Sequence, residues 1–334
     1  MKSRHATVQL CRLLRESEGN IVSGGHVLRV LSLSRQAVWK AVRDLEEEGF
    51  VVDSVPQKGY ILRELPSNDL SPSLIGSLIS PECPWGEEIH VFQSIPSTQE
   101  AAKRIGRQSQ TDGLVVIAEE QTNGRGRRDR VWISPRGTGL YFSVFFRPRM
   151  LPGRLQLINL AAGLAVRDAI GAVCGKPVSL KWPNDLLYGG RKICGILSEA
   201  SSDPERIRDC STGIGINISL TREQLAVRGL ENAASLGAGT ETVHRGSLCA
   251  AVIEKFYRLA ADLANDGGYS LLSRYREECS TIGKNVSVLT EEDAFSGRAA
   301  GIGDNGELLV EGKDGIRSFC AADVVHATPD VKDR

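Results

Sequence analysis

The chain carries no excess charge of either sign: 41 Lys and Arg face 41 Asp and Glu over 334 residues. No global field draws it to nucleic acid or to a membrane, so any such attraction has to be local. It also lacks a run of 18 apolar residues, so no membrane-spanning helix is expected. Met1-Lys2-Ser3-Arg4-His5 leads into an amphipathic pattern and not an apolar one, so no signal peptide is visible. The eight cysteines, at 11, 83, 174, 194, 210, 249, 279 and 320, contain no Cys-x-x-Cys pair. A zinc site or a disulfide framework is therefore not expected; reduced thiols in a cytoplasm are, most of them buried as small hydrophobes. There is no Walker A motif and no Gly-x-Gly-x-x-Gly after a strand, so a nucleotide would need another kind of site.

An apolar fraction of 41% and a charged fraction of 25% describe an ordinary globular protein, and the length predicts two or three domains. Residues 1–64 read as one compact unit. Val8, Cys11 and Leu14 recur at helical spacing, Val27 to Leu31 give a short second helix, and Ser34 caps a third. Ala37, Val38, Ala41, Val42 and Leu45 form the inner face of that third helix, and Gly49 is its left-handed stop. Two strands follow around Pro56-Gln57-Lys58-Gly59, so the pattern is a winged helix-turn-helix. The outer face of the third helix carries Arg35, Gln36, Trp39, Lys40 and Arg43, residue types that read base edges and phosphates in a major groove. Ser34 and, at the wing tip, Lys58 complete the candidate DNA-binding set. The unit holds ten Lys and Arg against eight Asp and Glu, a net of only +2.

Residues 65–85 are rich in Pro and Ser and read as a linker with one short helix near 74–79. From 86 to 282, strands are expected at 89–92, 114–118, 140–146, 178–182, 192–199 and 211–218. Helices are expected at 99–105, 155–173, 245–265 and 269–279. The mixture lacks a regular βαβ alternation, which predicts an α+β fold with a mixed sheet. Residues 283–330 carry short alternating strands joined by glycine turns, the pattern of a small all-β module.

Two segments carry the chemistry. Gly124-Arg125-Gly126-Arg127-Arg128-Asp129-Arg130 packs planar, always-charged donors beside glycines that let the backbone approach an anion. Such a loop suits two anions that repel each other. About 60 residues later come Lys181-Trp182-Pro183-Asn184-Asp185 and then Gly190-Arg191-Lys192. Either segment alone has a bland reading, a solvated surface or a strand edge. Together, in this order, they resemble the biotin–protein ligases, and the N-terminal unit resembles the bifunctional bacterial type that also represses biotin synthesis.

The resemblance covers roughly residues 8–325 and implies a C-terminal SH3-like β-barrel. It implies that Ser97, Thr98, Gln99 and Gln121 hold the biotin ring, with Gln99 standing where the family has Asn. Arg125, Gly126, Arg127 and Lys192 would complete the biotin site. Gly124, Trp132, Asn184, Asp185 and Asn217 would serve ATP, and Lys192, Arg127 and Arg125 would be the catalytic cations. Asp129 stands where the family has Gly. No metal ligand is certain, although Mg²⁺ is expected with ATP. The implied partners are a biotin carboxyl carrier protein, operator DNA and a second copy of the chain once ligand binds, with no membrane. Two other classes compete: a ligand-sensing regulator that no longer turns over, and a ligase for a related acid such as lipoate.

Overall fold

The computed structural model describes residues 2–237, 243–290, 293–320 and 322–326, so positions 327–330 of the expected last unit lie outside it. The first unit contains α1 (Lys2–Glu16), α2 (Gly24–Leu31), α3 (Arg35–Glu47) and the hairpin β1 (Val51–Val55) and β2 (Gly59–Glu64). Ser34 caps α3 by accepting from Ala37 N, and Gly49 stops it at φ +94°. Leu10, Leu14, Val27, Val38, Leu45 and Phe50 close the core of this winged helix.

The stretch read as a linker is packed. Its helix α4 (Pro72–Leu78) starts two residues earlier than the apolar pattern suggests, because Ser71 caps it and Pro72 occupies the first turn. Glu48, at the end of α3, accepts from Ser71 Oγ, Ser73 N and Ser73 Oγ at 2.5–2.9 Å. Arg12 of α1 donates to the carbonyls of Gly76, Ser77 and Ile79. An anion thus sits at the positive end of α4 and a cation at its negative end, both supplied by the winged helix. Leu74 belongs to the winged-helix core, while Ile75 belongs to the central one. The segment packs against both cores.

The centre is built on a seven-stranded mixed sheet. Its strands are β3 (Ile89–Phe92), β4 (Leu114–Ala118), β5 (Gly139–Phe146), β6 (Ser179–Lys181), β7 (Asp185–Tyr188), β8 (Arg191–Ser202) and β9 (Ile207–Asn217), in the order β3-β4-β5-β9-β8-β7-β6. Only β3 and β4 run parallel. β5 alternates strictly. Leu140, Phe142, Val144 and Phe146 join the main core, covered by α6 (Leu155–Cys174) and α8 (Arg245–Asp266). Phe145 faces the other way, toward α5 (Thr98–Gly106). Among the elements that escape sequence reading are β7, a four-residue strand just after Pro183, and α7 (Arg222–Val227), held by a Thr221–Gln224 capping box.

By length and composition alone, Pro152–Cys174 would be long and apolar enough to cross a membrane. Its residues from Leu157 to Ile170 are instead mostly buried between the sheet and α8, which is why the helix is apolar around most of its circumference. Five of the eight thiols are buried and all are free. Burial pushes Cys11 up to about 11, and Cys194 and Cys249 higher still, so these behave as protonated apolar groups.

After α9 (Tyr269–Glu278), the tail forms an antiparallel five-stranded sheet, as the small-barrel pattern implies. It comprises β10 (Asn285–Leu289), β11 (Ala294–Ile302), β12 (Leu308–Gly312), β13 (Gly315–Phe319) and β14 (Asp323–His326), in the order β13-β12-β11-β10-β14. It shares the central core rather than hanging from it: Trp182 Nε1 donates to Gly306 O at 2.9 Å, and Arg276 donates to Ile302 O.

The junction contains a pH-sensitive contact. The fully buried Thr281 hydroxyl accepts from Trp182 N and lies 3.1 Å from His326 Nε2. Burial, with Lys284 and Lys181 nearby, pulls the His326 pKa from 6.5 to about 4. Across that window the unfolded chain binds a proton that the folded chain refuses, so stability falls as pH drops from 6.5 toward 4. Melting temperature should decline over this range, and His326→Gln, which cannot gain the charge, should flatten part of the decline. Identical pH slopes for the two proteins would show that His326 is uninvolved.

Candidate functional site

A cavity of about 260 Å³ lies on the α5 side of the central sheet. Its floor comes from strand register. On β9, Gly213, Gly215 and Asn217 share one face, and Gly195 of β8 is paired directly with Gly215. Two side-by-side glycines leave a depression, and the Trp132 indole occupies it. A Cβ on Gly215 would stand 2.3 Å from Trp132 Nε1, and one on Gly195 would stand 2.9 Å from its Cζ3. Trp132 Nε1 is buried without a partner, an available donor.

One wall is a polar chain starting at α5. Ser97 caps the helix by accepting from Glu100 N. Thr98 is then free to use its hydroxyl elsewhere: 3.0 Å from Gln121 Oε1 and 2.8 Å from Ser143 Oγ. Gln121 Nε2 donates onward to Ser134 Oγ, which fixes its amide orientation. Gln99 also lines the cavity, but both donors of its side-chain amide go to the backbone, to Leu197 O and Ser211 O. Only its Oε1 remains uncommitted, beside Gly213.

The other wall is charged. Lys192 Nζ lies 2.6 Å from Asp185 Oδ1 and 5.4 Å from the centre of the Trp132 ring. Arg127 donates to Asn184 Oδ1 and to Ala322 O, and burial lowers its pKa without discharging it. Asn184 is itself anchored through Nδ2 to Ile196 O, and Asn217 through Nδ2 to Ala234 O. Arg125 turns outward to Glu100 and Glu199. Lys181 is half-buried just behind this wall, where burial lowers its pKa.

The structure thus brings together Ser97, Thr98, Gln99, Gln121, Arg125, Gly126, Arg127, Trp132, Asn184, Asp185, Lys192 and Asn217 around one cavity. Gly124 is set back from it, pairing with Trp132 through the backbone. Sequence reading does not find Ser143, Gly195 or Asp323, all of which line the cavity. The alternating Gly213, Gly215 and Asn217 were the available signal for the floor. Nothing local marks Asp323, some 190 residues from the loop it meets.

Among the described residues, no group of three or more His, Cys, Asp and Glu side chains could hold a metal unaided. Asp185 Oδ1 is buried and receives no directed hydrogen bond, only the nearby Lys192 charge. That oxygen and Asn184 suit a cation carried in mainly by a ligand's phosphates. A second candidate surface lies far off on α3, where Arg35, Gln36, Trp39 and Lys40 are exposed, Trp39 by 58%. Arg43 stacks over Trp39 at 5.2 Å, and Lys58 is exposed on the wing.

Three family descriptions match in order: an HTH domain over 8–61, the biotin/lipoate A/B protein ligase family over 91–217, and the biotin protein ligase C-terminal domain over 281–327. The bifunctional ligase/repressor BirA of Bacillus subtilis is 32% identical over 316 residues, covering 94% of this chain and 97% of the relative. That of Escherichia coli is 31% identical, covering 95% of each. The solved biotin protein ligase from Aquifex aeolicus in complex with biotin and ATP superposes with a TM-score of 0.61 at 25% identity. It covers 72% of this chain and 99% of its own. A mixed sheet with an arginine loop over a glycine floor, joined to an all-β tail, is the frame of a protein ligase, and the chain belongs to the biotin/lipoate A/B protein ligase family. The match to these relatives named bifunctional ligase/repressor runs through the winged helix and the all-β tail, over 94–95% of the chain.

A methyl at Gly215 should evict the indole. Gly215→Ala is expected to shift tryptophan emission to the red and to cost about 1–3 kcal/mol from overpacking. Gly153→Ala, where a Cβ meets nothing within 4 Å, serves as control. If Gly215→Ala leaves emission and stability at the parent values, the indole does not rest where described.

Proposed function

We propose that this chain is an ATP-dependent biotin–protein ligase. It forms biotinyl-5′-adenylate, transfers biotin to a lysine of a biotin carboxyl carrier protein, and represses transcription in response to biotin. The observation that carries the reading is the cavity itself, an uncharged polar wall facing a cationic one across a glycine floor, in a chain that also carries a winged helix. The names of the relatives support it, as does the complex of the Aquifex protein with biotin and ATP.

In this reading Ser97, Thr98, Gln99 and Gln121 receive the ureido ring, Gln99 through its remaining oxygen. Gly126, Arg127 and Lys192 surround the carboxylate, with Arg125 at the rim of the cavity, paired with Glu100 and Glu199 until a ligand draws it in. Gly124, Trp132, Asn184, Asp185 and Asn217 serve the nucleotide, with the unpartnered Trp132 Nε1 as a donor. A carboxylate oxygen of biotin attacks the α-phosphorus as the bond to pyrophosphate breaks. Both reactants are anions, so the first requirement is positive charge already in place, and Lys192 and Arg127 supply it. Asp185 and Asn184 would be the protein oxygens that help to hold Mg²⁺, which would offset further charge. No side chain acts as nucleophile; positioning and electrostatics do the catalysis. The loop then shields the mixed anhydride from water until a lysine amine of the carrier attacks it and AMP leaves.

The working units are 1–64 for DNA, 86–282 for chemistry and 283–330 as a docked module, with 65–85 as the joint. Ser34, Arg35, Gln36, Trp39, Lys40 and Lys58 meet the operator. The cytoplasm is the compartment, consistent with eight free thiols.

Lys192→Ala should lower adenylate formation by about 10²–10³, the usual loss for one preorganised transition-state contact. Pyrophosphate release at the parent rate from the folded variant would remove Lys192 from the mechanism. Repression should work through dimerisation, because one winged helix of net charge +2 holds DNA weakly and two match a palindrome. Sedimentation with biotin and ATP should show a dimer that binds operator, with a log–log salt slope of about −0.9 per phosphate contacted. Tight, sequence-specific binding by a ligand-free monomer would sink that coupling.

A further inference from the structure

Helix α6 is apolar from Leu155 to Val166 except at two positions, Gln156 and Asn159. They are three residues apart and share a face, and Asn159 Nδ2 donates to Gln156 Oε1 at 3.3 Å. Both are partly buried, where an amide needs partners. Their other hydrogen bonds go to backbone outside the helix. Gln156 Nε2 donates to Pro183 O at 3.3 Å, and Asn159 Oδ1 accepts from Ser198 N at 3.1 Å. The Gly306 turn of the all-β tail closes over Gln156, so near that a Cβ on Gly306 would stand 3.1 Å from Gln156 Cγ.

These two backbone groups sit where strand pairing stops. β7 begins at Asp185, paired with Gly195 of β8. One step further, Asn184 and Ile196 still bond twice, Ile196 N to Asn184 O at 2.9 Å and Asn184 Nδ2 to Ile196 O at 2.8 Å. Next comes Pro183, which has no N–H to offer a neighbouring strand. Trp182 before it gives its N–H to Thr281 Oγ1. Ser198 N therefore has no strand to meet on that side, and the Asn159 amide takes the place of one. Leu197 is held separately, from α5, by Gln99. The α6 pair thus braces the Asn184–Ile196 contact from both ends, one residue before Asn184 and two after Ile196. Asn184, Asp185 and Ile196 all line the cavity.

We infer that Gln156 and Asn159 are positioning residues for the nucleotide end of the adenylation site. They fix where Asn184 and Asp185 stand, by holding the carbonyl that precedes them and the β8 amide beyond their pairing. The biotin end, with Thr98, Gln121 and Ser143, has its own relay and does not use this brace. The inference rests on the ligase reading for the roles of Asn184 and Asp185, but the brace itself can be measured without turnover.

Asn159→Leu and Gln156→Met keep roughly the size of each side chain and remove its hydrogen bonds. In the full-length protein, the Ser198 amide should lose protection from hydrogen exchange in Asn159→Leu and regain it in Asn159→Asp, which keeps the acceptor. With pyrophosphate release as the readout, each apolar variant should raise the KM for ATP by about two- to tenfold, the range for one neutral hydrogen bond. The KM for biotin should stay at the parent value. Because the two amides touch, the double variant should raise the KM for ATP by less than the product of the single effects. A parent KM for ATP in both variants would reduce the pair to packing, and equal rises for ATP and biotin would make it a general support of the fold; either overturns the inference. So does full protection of Ser198 in Asn159→Leu. Absence of any adenylate from the parent protein would instead overturn the ligase reading and leave the exchange result standing.

Discussion

Like charges crowded onto one loop repel one another, and most of the architecture around the cavity answers that constraint. Each cation is met by a group from a different element: Lys192 by Asp185 of β7, Arg125 by Glu100 of α5 and Glu199 of β8, Arg128 and Arg130 by Asp323 of β14. A site that must receive two anions has to hold its positive charge ready, and holding it without substrate requires counter-charges that can give way. The ion pairs are partly exposed, where screening keeps their cost of exchange low. The more buried Arg127 is instead satisfied by neutral oxygens, which suits a cation whose next partner is the ligand.

Rigidity comes from a different kind of contact. The floor is two paired glycines under an indole, and its shape depends on the absence of two Cβ atoms. The polar wall is a relay, Ser143 to Thr98 to Gln121 to Ser134, in which each hydrogen bond fixes the next amide or hydroxyl. Preorganisation of this sort lets an electrostatic site act without reorganising during the reaction.

The same economy joins the winged helix to the rest. Arg245 of α8 pairs with Asp69 and with Glu119, two residues before Gln121. Asp69 leads into α4, whose two ends are held by Glu48 and Arg12. A continuous set of packed and paired groups therefore runs from the cavity wall to the DNA-binding unit. This contiguity is a physical route between the two.

The sequence by itself determined the local elements and the class of protein. The Ser34 cap, the Gly49 stop, the buried strand at 140–146 and the long apolar helix α6 are properties of neighbouring residues, and the structure has them close to where the spacing puts them. The arginine loop and the Lys-Trp-Pro-Asn-Asp strand were legible for the same reason, since their chemistry is concentrated in a few adjacent positions. Partnership across the chain was not. That Gln99 gives its amide to β8 and β9, that Gly195 faces Gly215, that the proline-rich stretch is a clamped joint and that Asp323 reaches the loop all depend on register and docking. Those are set by the packing of the whole core, and no local pattern records which distant side chain will supply the opposing charge.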